Sequence, residues 1–187
     1  MTTIIGLSGS LRRASYQTAI LNLAAAHMPA GVTLKVRTLH GVPLYDGDEE
    51  AATGSPPAVA ALKDEIAAAQ GLFITVPEYN NSFAGVLKNG LDWLSRPPGE
   101  AKRVFTGKPV AIAGATAGNF ATLQAQTAML PILRVLGAEL WTGSRLAIAK
   151  ANAGIDAEGK VTDPEMQKQI IAFAQGFAAW VVRHHRP

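Results

Sequence analysis

The chain has 187 residues, 48% of them apolar, and carries 17 lysines and arginines against 14 aspartates and glutamates, with no cysteine. A single domain of this size buries roughly 70% of the surface its unfolded form exposes, and the lack of cysteine excludes thiol catalysis, Cys-based zinc sites and iron–sulfur clusters. The net charge of +3 is scattered, with small clusters at Arg12-Arg13, Lys102-Arg103 and Arg183 to Arg186, a balance that suits a small anionic ligand and argues against nucleic acid.

In chain order, apolar runs alternate with stretches of helical period, the pattern of a parallel sheet covered on both faces. Strands are expected near 3–8, 32–37, 71–76 and 109–114, with a fifth near 138–148. Tyr16, Ala19, Ile20, Leu23 and His27 recur at helical spacing after the first strand, and Pro29-Ala30-Gly31 ends that helix. The segment 38–56 shows no clear element; Pro43-Leu44-Tyr45-Asp46 reads as a surface loop and Asp48-Glu49-Glu50 as a solvated acidic turn. A second helix follows Ser55, with Pro56-Pro57 suited to a first turn and Val59, Leu62, Ile66 and Ala69 on one face. A third near 84–95 carries Val86, Leu87, Leu91 and Leu94, and a fourth near 120–136 carries Leu123, Thr127, Leu130 and Leu133. Pro131 should kink that fourth helix or delay its start. The last helix follows Asp163-Pro164 and shows Met166, Ile170, Phe173, Phe177 and Val181. Five strands and five helices in alternation predict a three-layer sandwich.

Two polar loops stand directly after apolar runs, where ligands bind in open α/β sheets. The first, Ser8-Gly9-Ser10-Leu11-Arg12-Arg13-Ala14-Ser15, exposes backbone N–H groups at the positive end of a helix. Ser8, Ser10 and Ser15 add hydroxyls and Arg12 a bidentate cation, a set that suits phosphate. Gly107-Lys108 is followed by Pro109 and not by Ser or Thr, so no Walker A motif is present, and G-x-G-x-x-G is absent too. Gly6-Leu7-Ser8-Gly9-Ser10 falls one residue short of a nucleophile elbow, which disfavours a hydrolase. The same loop also reads as a plain helix cap. The second loop, Pro77-Glu78-Tyr79-Asn80-Asn81-Ser82, suits a flat polar ring. Gly114-Ala115-Thr116-Ala117-Gly118-Asn119 follows the fourth strand and lets backbone approach closely, or forms an ordinary turn.

Gly9-Ser10-Leu11-Arg12 with Ser15, Pro77-Glu78-Tyr79-Asn80 with Ser82 and Gly85, Leu87-Lys88-Asn89 and Asp92-Trp93-Leu94-Ser95 together resemble the NADPH-dependent FMN reductase family, in particular its quinone- and chromate-reducing branch. The resemblance runs from about residue 4 to residue 141. It implies a flavodoxin-like fold with strand order 2-1-3-4-5, noncovalent FMN, NADPH or NADH as hydride donor, a small-molecule electron acceptor, and a homodimer or homotetramer. Carried onto this chain, it puts the FMN phosphate among Ser8, Ser10, Arg12, Ser15 and Gln17, with Leu11 and Tyr16 also at the cofactor. The family more often has asparagine where Gln17 stands. Pro77, Glu78, Tyr79, Asn80, Asn81 and Ser82 would line the ribityl chain and ring edge, and Thr116 and Gly118 the loop under the ring. Ala84 replaces a proline common before Gly85, which opens the access face. Arg12 or Arg13 could instead meet the 2′-phosphate of NADPH.

A flavodoxin-like electron carrier is the rival from another class; the positive net charge and the Pro-Glu-Tyr-Asn loop speak against it. His27, His40, His184 and His185 show no metal-ligand spacing, and Trp93, Trp141 and Trp180 are expected in the core or at subunit contacts. Asn80-Asn81-Ser82 matches a glycosylation acceptor only by letter. No apolar run approaches the roughly 20 residues of a membrane span, and Met1-Thr2-Thr3-Ile4-Ile5 lacks the pattern of a leader. The expectation is a soluble cytoplasmic protein.

Overall fold

The computed structural model describes residues 1–184; His185 and Arg186 lie outside the described residues. Strands β1 (Thr2–Ser8), β2 (Val32–Arg37), β3 (Gly71–Thr75) and β6 (Pro109–Ala115) form the body of a parallel sheet. Its order is β2-β1-β3-β6, and two short strands, β7 (Glu139–Leu140) and β8 (Leu146–Ile148), both pair with β6 on the outer side. This is the flavodoxin-like order predicted, with the fifth strand in two pieces. Between the pieces a Cβ on Gly143 would lie 2.5 Å from Nε1 of Trp141, so the indole packs directly on the glycine backbone there.

Alternating side chains on each strand feed opposite faces. Ile4 and Phe73 point into a core shared with helix α1 (Tyr16–Ala26) and helix α7 (Pro164–His184), where Ile20, Phe173 and Phe177 are buried. Ile5, Leu7, Leu72 and Ile74 point the other way, against helices α3 (Pro57–Ala68), α4 (Gly85–Leu94) and α6 (Leu123–Val135). The central strand β3 is buried along its whole length, as a sheet covered on both faces requires.

Three local readings change. The segment 38–56 contains helix α2 (Gly47–Thr53), started by the Asp46 carboxylate, which accepts the Asp48 N–H at 2.8 Å. The acidic turn is only partly solvated: Asp48 and Glu49 are exposed, but Glu50 is 8% exposed and faces inward. Helix α5 (Glu100–Val104) and the small hairpin of β4 (Glu78–Tyr79) and β5 (Ser82–Phe83) are further additions. Helix α6 runs through Pro131, whose missing N–H removes the bond to the Thr127 carbonyl, and it begins at Leu123. Among the described residues, no helix is long and apolar enough to cross a membrane.

Candidate functional site

The carboxyl ends of β1, β3 and β6 each release a loop, and the three loops surround a cavity of about 200 Å³. Ser10, Arg12, Ser15, Tyr16 and Gln17 come from the first loop and the start of α1, Pro77, Glu78 and Tyr79 from the second, and Thr116 from the third. Ala115 and Ala117, members of the small-residue loop after the fourth strand, complete the lining.

Two glycines allow this convergence. A Cβ on Gly9 would stand 2.7 Å from both Pro77 Cδ and the Thr75 carbonyl oxygen. On Gly114 it would stand 2.4 Å from the Val76 carbonyl oxygen and from Thr122 Oγ1. The backbone of β1 and β6 thus closes in on both sides of the end of β3, and the Gly9 N–H donates to Thr75 O at 2.9 Å.

The first loop is ordered from within. Ser15 caps α1, its oxygen accepting the Gln17 N–H at 3.1 Å, and Ser10 Oγ accepts the Arg12 N–H at 3.3 Å. Ser8 is fully buried beneath the loop, its hydroxyl 2.9 Å from that of Thr18, so it braces the turn from below. Leu11 is 41% exposed, and Arg13 is exposed and outside the lining. The Arg12 guanidinium lies over the Tyr16 ring at 5.8 Å, and Arg12 lines the cavity and forms no ion pair with a described carboxylate.

The second loop is a two-residue hairpin. Asn80 and Asn81 have φ of 51° and 61°, the left-handed pair that such a turn demands and that asparagine tolerates well. Both are exposed, Ser82 is half-buried at the start of β5, and Tyr79 is 56% exposed at the cavity mouth. Glu78 turns inward: its Oε2 accepts the Ala125 N–H at 2.9 Å, in the first turn of α6. On the opposite wall the Gln17 carboxamide bonds both backbone groups of Ala115, donating to its oxygen at 2.6 Å and accepting its N–H at 3.3 Å. In the third loop Gly118 is exposed and its N–H donates to Thr116 Oγ1 at 3.2 Å.

Two larger cavities of about 420 Å³ each lie on either side of Trp141 at the broken edge of the sheet. Among the described residues Arg145 is the one charged group lining them, and of the strand-end loops only the one after β7 reaches them, not those after β1, β3 and β6. The other candidates have structural roles. His27 Nδ1 is 2.9 Å from Leu23 O, His40 Nδ1 is 2.9 Å from Thr38 Oγ1, and His184 is 3.4 Å from Glu139. Trp93 is buried and donates to Pro43 O at 2.9 Å, while Trp141 and Trp180 pack against Phe177. Among the described residues, no group of histidine and carboxylate side chains could hold a metal ion.

A flavodoxin-ordered sheet whose first loop presents hydroxyls, helix-end N–H groups and an arginine to one cavity defines an α/β protein built for a phosphorylated cofactor. Comparison with known proteins narrows the class. Residues 2–153 match the NADPH-dependent FMN reductase family, and the chain belongs to that family. It is 40% identical over 180 residues to an NAD(P)H-dependent FMN reductase of Pseudomonas aeruginosa, covering 96% of this chain and 95% of that one. It is also 36% identical over 173 residues to a 2-hydroxy-1,4-benzoquinone reductase of a Burkholderia species, covering 92% of each. Among solved structures, the flavoenzyme NAD(P)H:(acceptor) oxidoreductase FerB of Paracoccus denitrificans superposes with a TM-score of 0.80 at 29% identity, over 98% of this chain and 99% of that one.

Proposed function

We propose that this chain holds FMN noncovalently in the three-loop cavity and passes electrons from NADPH or NADH to a quinone-type acceptor in a ping-pong cycle. The observation that carries the reading is the meeting of Ser10, Ser15 and Arg12 with Pro77, Glu78 and Tyr79 around one opening. The donor set fits the group. Hydroxyls, a helix amino end and a guanidinium suit a phosphate dianion, and the small Ala115 and Ala117 in the lining leave room for a flat ring close to backbone. When bound, FMN supplies a redox centre that takes up hydride and releases electrons to a second substrate.

The chain's own residues supply position. Arg12, Ser10 and Ser15 would hold the phosphate, with Leu11 and Tyr16 beside it and Ser8 fixing the turn. Pro77 to Ser82 would border the ribityl chain and ring, and Thr116 and Gly118 would lie beneath. Arg12 lines the cavity and Arg13 does not, which favours Arg12 for FMN and frees Arg13 for the 2′-phosphate of NADPH. No proton-transferring side chain is required, because hydride transfer depends on stacking and distance. Tyr79 and Asn81 would wall the exposed face on which nicotinamide and acceptor take turns.

The names of the Pseudomonas and Burkholderia relatives support FMN and quinone chemistry. Chromate, azo compounds and free flavin ask for the same accessible electron donor and are proposed as further acceptors. Phe120, Leu123, Leu130 and Val135 expose apolar surface along α6, 76%, 40%, 41% and 81% respectively, which supports a homodimer or homotetramer. The test is steady-state oxidation of NADPH by the FMN-loaded protein at several 1,4-benzoquinone concentrations. Parallel double-reciprocal lines are expected. Intersecting lines would sink the ping-pong cycle, and turnover independent of FMN would sink the whole reading.

A further inference from the structure

Two side chains of the cavity wall bond backbone far away in sequence. Gln17 is 3% exposed and its carboxamide bonds both the N–H and the carbonyl of Ala115, 98 residues on, so it ties the start of α1 to the end of β6. The Glu78 carboxylate reaches the Ala125 N–H, 47 residues on, and ties the second loop to the start of α6.

The second tie meets a specific need. An α-helix begins with four N–H groups that have no partner in the helix, and a side-chain oxygen at the residue before it usually accepts one. In α6 that residue is Thr122, which sits in the left-handed region at φ 59° and provides no such bond. Its hydroxyl instead accepts a hydrogen bond from the Gln126 amide at 3.1 Å. Glu78 therefore caps α6 from outside, and its charge faces the positive end of the helix. The first tie has a different origin: an asparagine at position 17 is one methylene shorter than the glutamine whose amide closes this two-bond ring on Ala115.

We propose that Gln17 and Glu78 are positioning residues that preset the three-loop cavity: Gln17 locks the first loop to the third, and Glu78 locks the second to the helix that follows the third. The Gln17 carboxamide and Glu78 Oε2 then serve backbone and not the ligand. The proposal rests on the FMN reading above and differs from it in assigning these two side chains to backbone. Its consequence is thermodynamic. A tie that only stabilises the fold lowers the stability of the empty and loaded proteins equally and leaves FMN affinity unchanged. A tie that presets the cavity also weakens FMN binding, because loops released in the empty protein must be ordered again on binding.

The experiment titrates FMN into the wild type, Glu78→Ala, Glu78→Gln and Gln17→Ala, and measures thermal unfolding of each with and without FMN. For Glu78→Ala and Gln17→Ala, FMN affinity should fall about tenfold, which corresponds to about 1.4 kcal/mol. The rise in Tm on adding FMN should shrink accordingly. Glu78→Gln keeps an oxygen that accepts the same N–H and should bind within about twofold of the wild type, since the geometry is retained. Wild-type affinity in both alanine variants, with equal loss of Tm in empty and loaded forms, would overturn the proposal. Failure of Glu78→Gln to restore affinity would overturn it for Glu78, because it would point to a direct contact of the carboxylate. If an alanine variant does not fold, the Glu78→Gln comparison still decides for Glu78. Failure of the wild type to bind FMN would instead overturn the function reading on which the proposal stands.

Discussion

The loop end of the sheet and the flank formed by α2, α3 and α5 are both rich in charge, and they use it differently. In the flank, Lys63 is 2% exposed and donates to Ser55 Oγ at 2.7 Å and to the Arg96 carbonyl oxygen, with Glu100 at 3.8 Å. Glu50 accepts from Tyr45 Oη at 2.9 Å and from Arg96 Nη2 at 3.1 Å. Burial pushes the Lys63 ammonium below its ordinary range, against the pull of Glu100 and Glu50. Apart from Glu50 Oε1, which is buried without a hydrogen-bond partner among the described residues, these groups answer one another. At the loop end, Arg12, Ser10 and Ser15 line an opening of about 200 Å³, and Arg12 has no partner among the described carboxylates. Density of charge therefore says little about a site; donors left facing a cavity say more.

If that contrast is right, changes at the loop end alter ligand affinity and changes in the flank alter stability alone. The largest effect is expected from Gly114→Val, since the first added carbon would already lie 2.4 Å from the Val76 carbonyl oxygen. Loss of about 3 kcal/mol in a urea unfolding series, with FMN binding abolished, is the expected result. Next comes Arg12→Ala. Removing a charged donor from a phosphate contact costs about 1.5–3 kcal/mol, so FMN affinity should drop at least tenfold in a fluorescence titration while Tm of the empty protein barely moves. Glu50→Ala should do the reverse. It frees Tyr45 and Arg96 of a buried acceptor and should cost about 2 kcal/mol by denaturant unfolding, with FMN affinity unchanged.

How much of this was legible follows from how far each signal reaches along the chain. The strands over 2–8, 32–37, 71–75 and 109–115 are apolar runs bounded by turns, and the buried faces of α3 and α7 repeat at helical spacing. Those are local signals. Helix α2 was missed because, of its seven residues, only Glu50 is buried, so it has no apolar stripe, although Asp46 was a readable cap. The split of the fifth strand falls where the Trp141 indole packs on Gly143, a contact that periodicity does not register. The three loops were readable because polar residues follow apolar runs directly. The separations of 98 and 47 residues across which Gln17 and Glu78 bond put their partners beyond any local pattern.

The smallest effect expected is in the flank's response to acid. A hydrogen bond from Arg103, and secondarily the charges of Arg103 and Lys63, hold the Glu100 carboxyl below the usual range. The stability it contributes is therefore complete above the unfolded carboxylate value and is lost as pH falls through the lower folded value. An Arg103→Ala variant should show a shallower loss of Tm over that acid window, with FMN affinity at neutral pH unaltered.

The central claim is that the three-loop cavity holds a flavin that turns over. The most direct measurement is an anaerobic visible spectrum of the FMN-reconstituted protein, before and after NADPH and again after 1,4-benzoquinone. Rapid bleaching followed by full recovery of the yellow spectrum is the predicted result. A spectrum that stays yellow with NADPH would contradict the account and leave a flavin carrier or binding protein in its place.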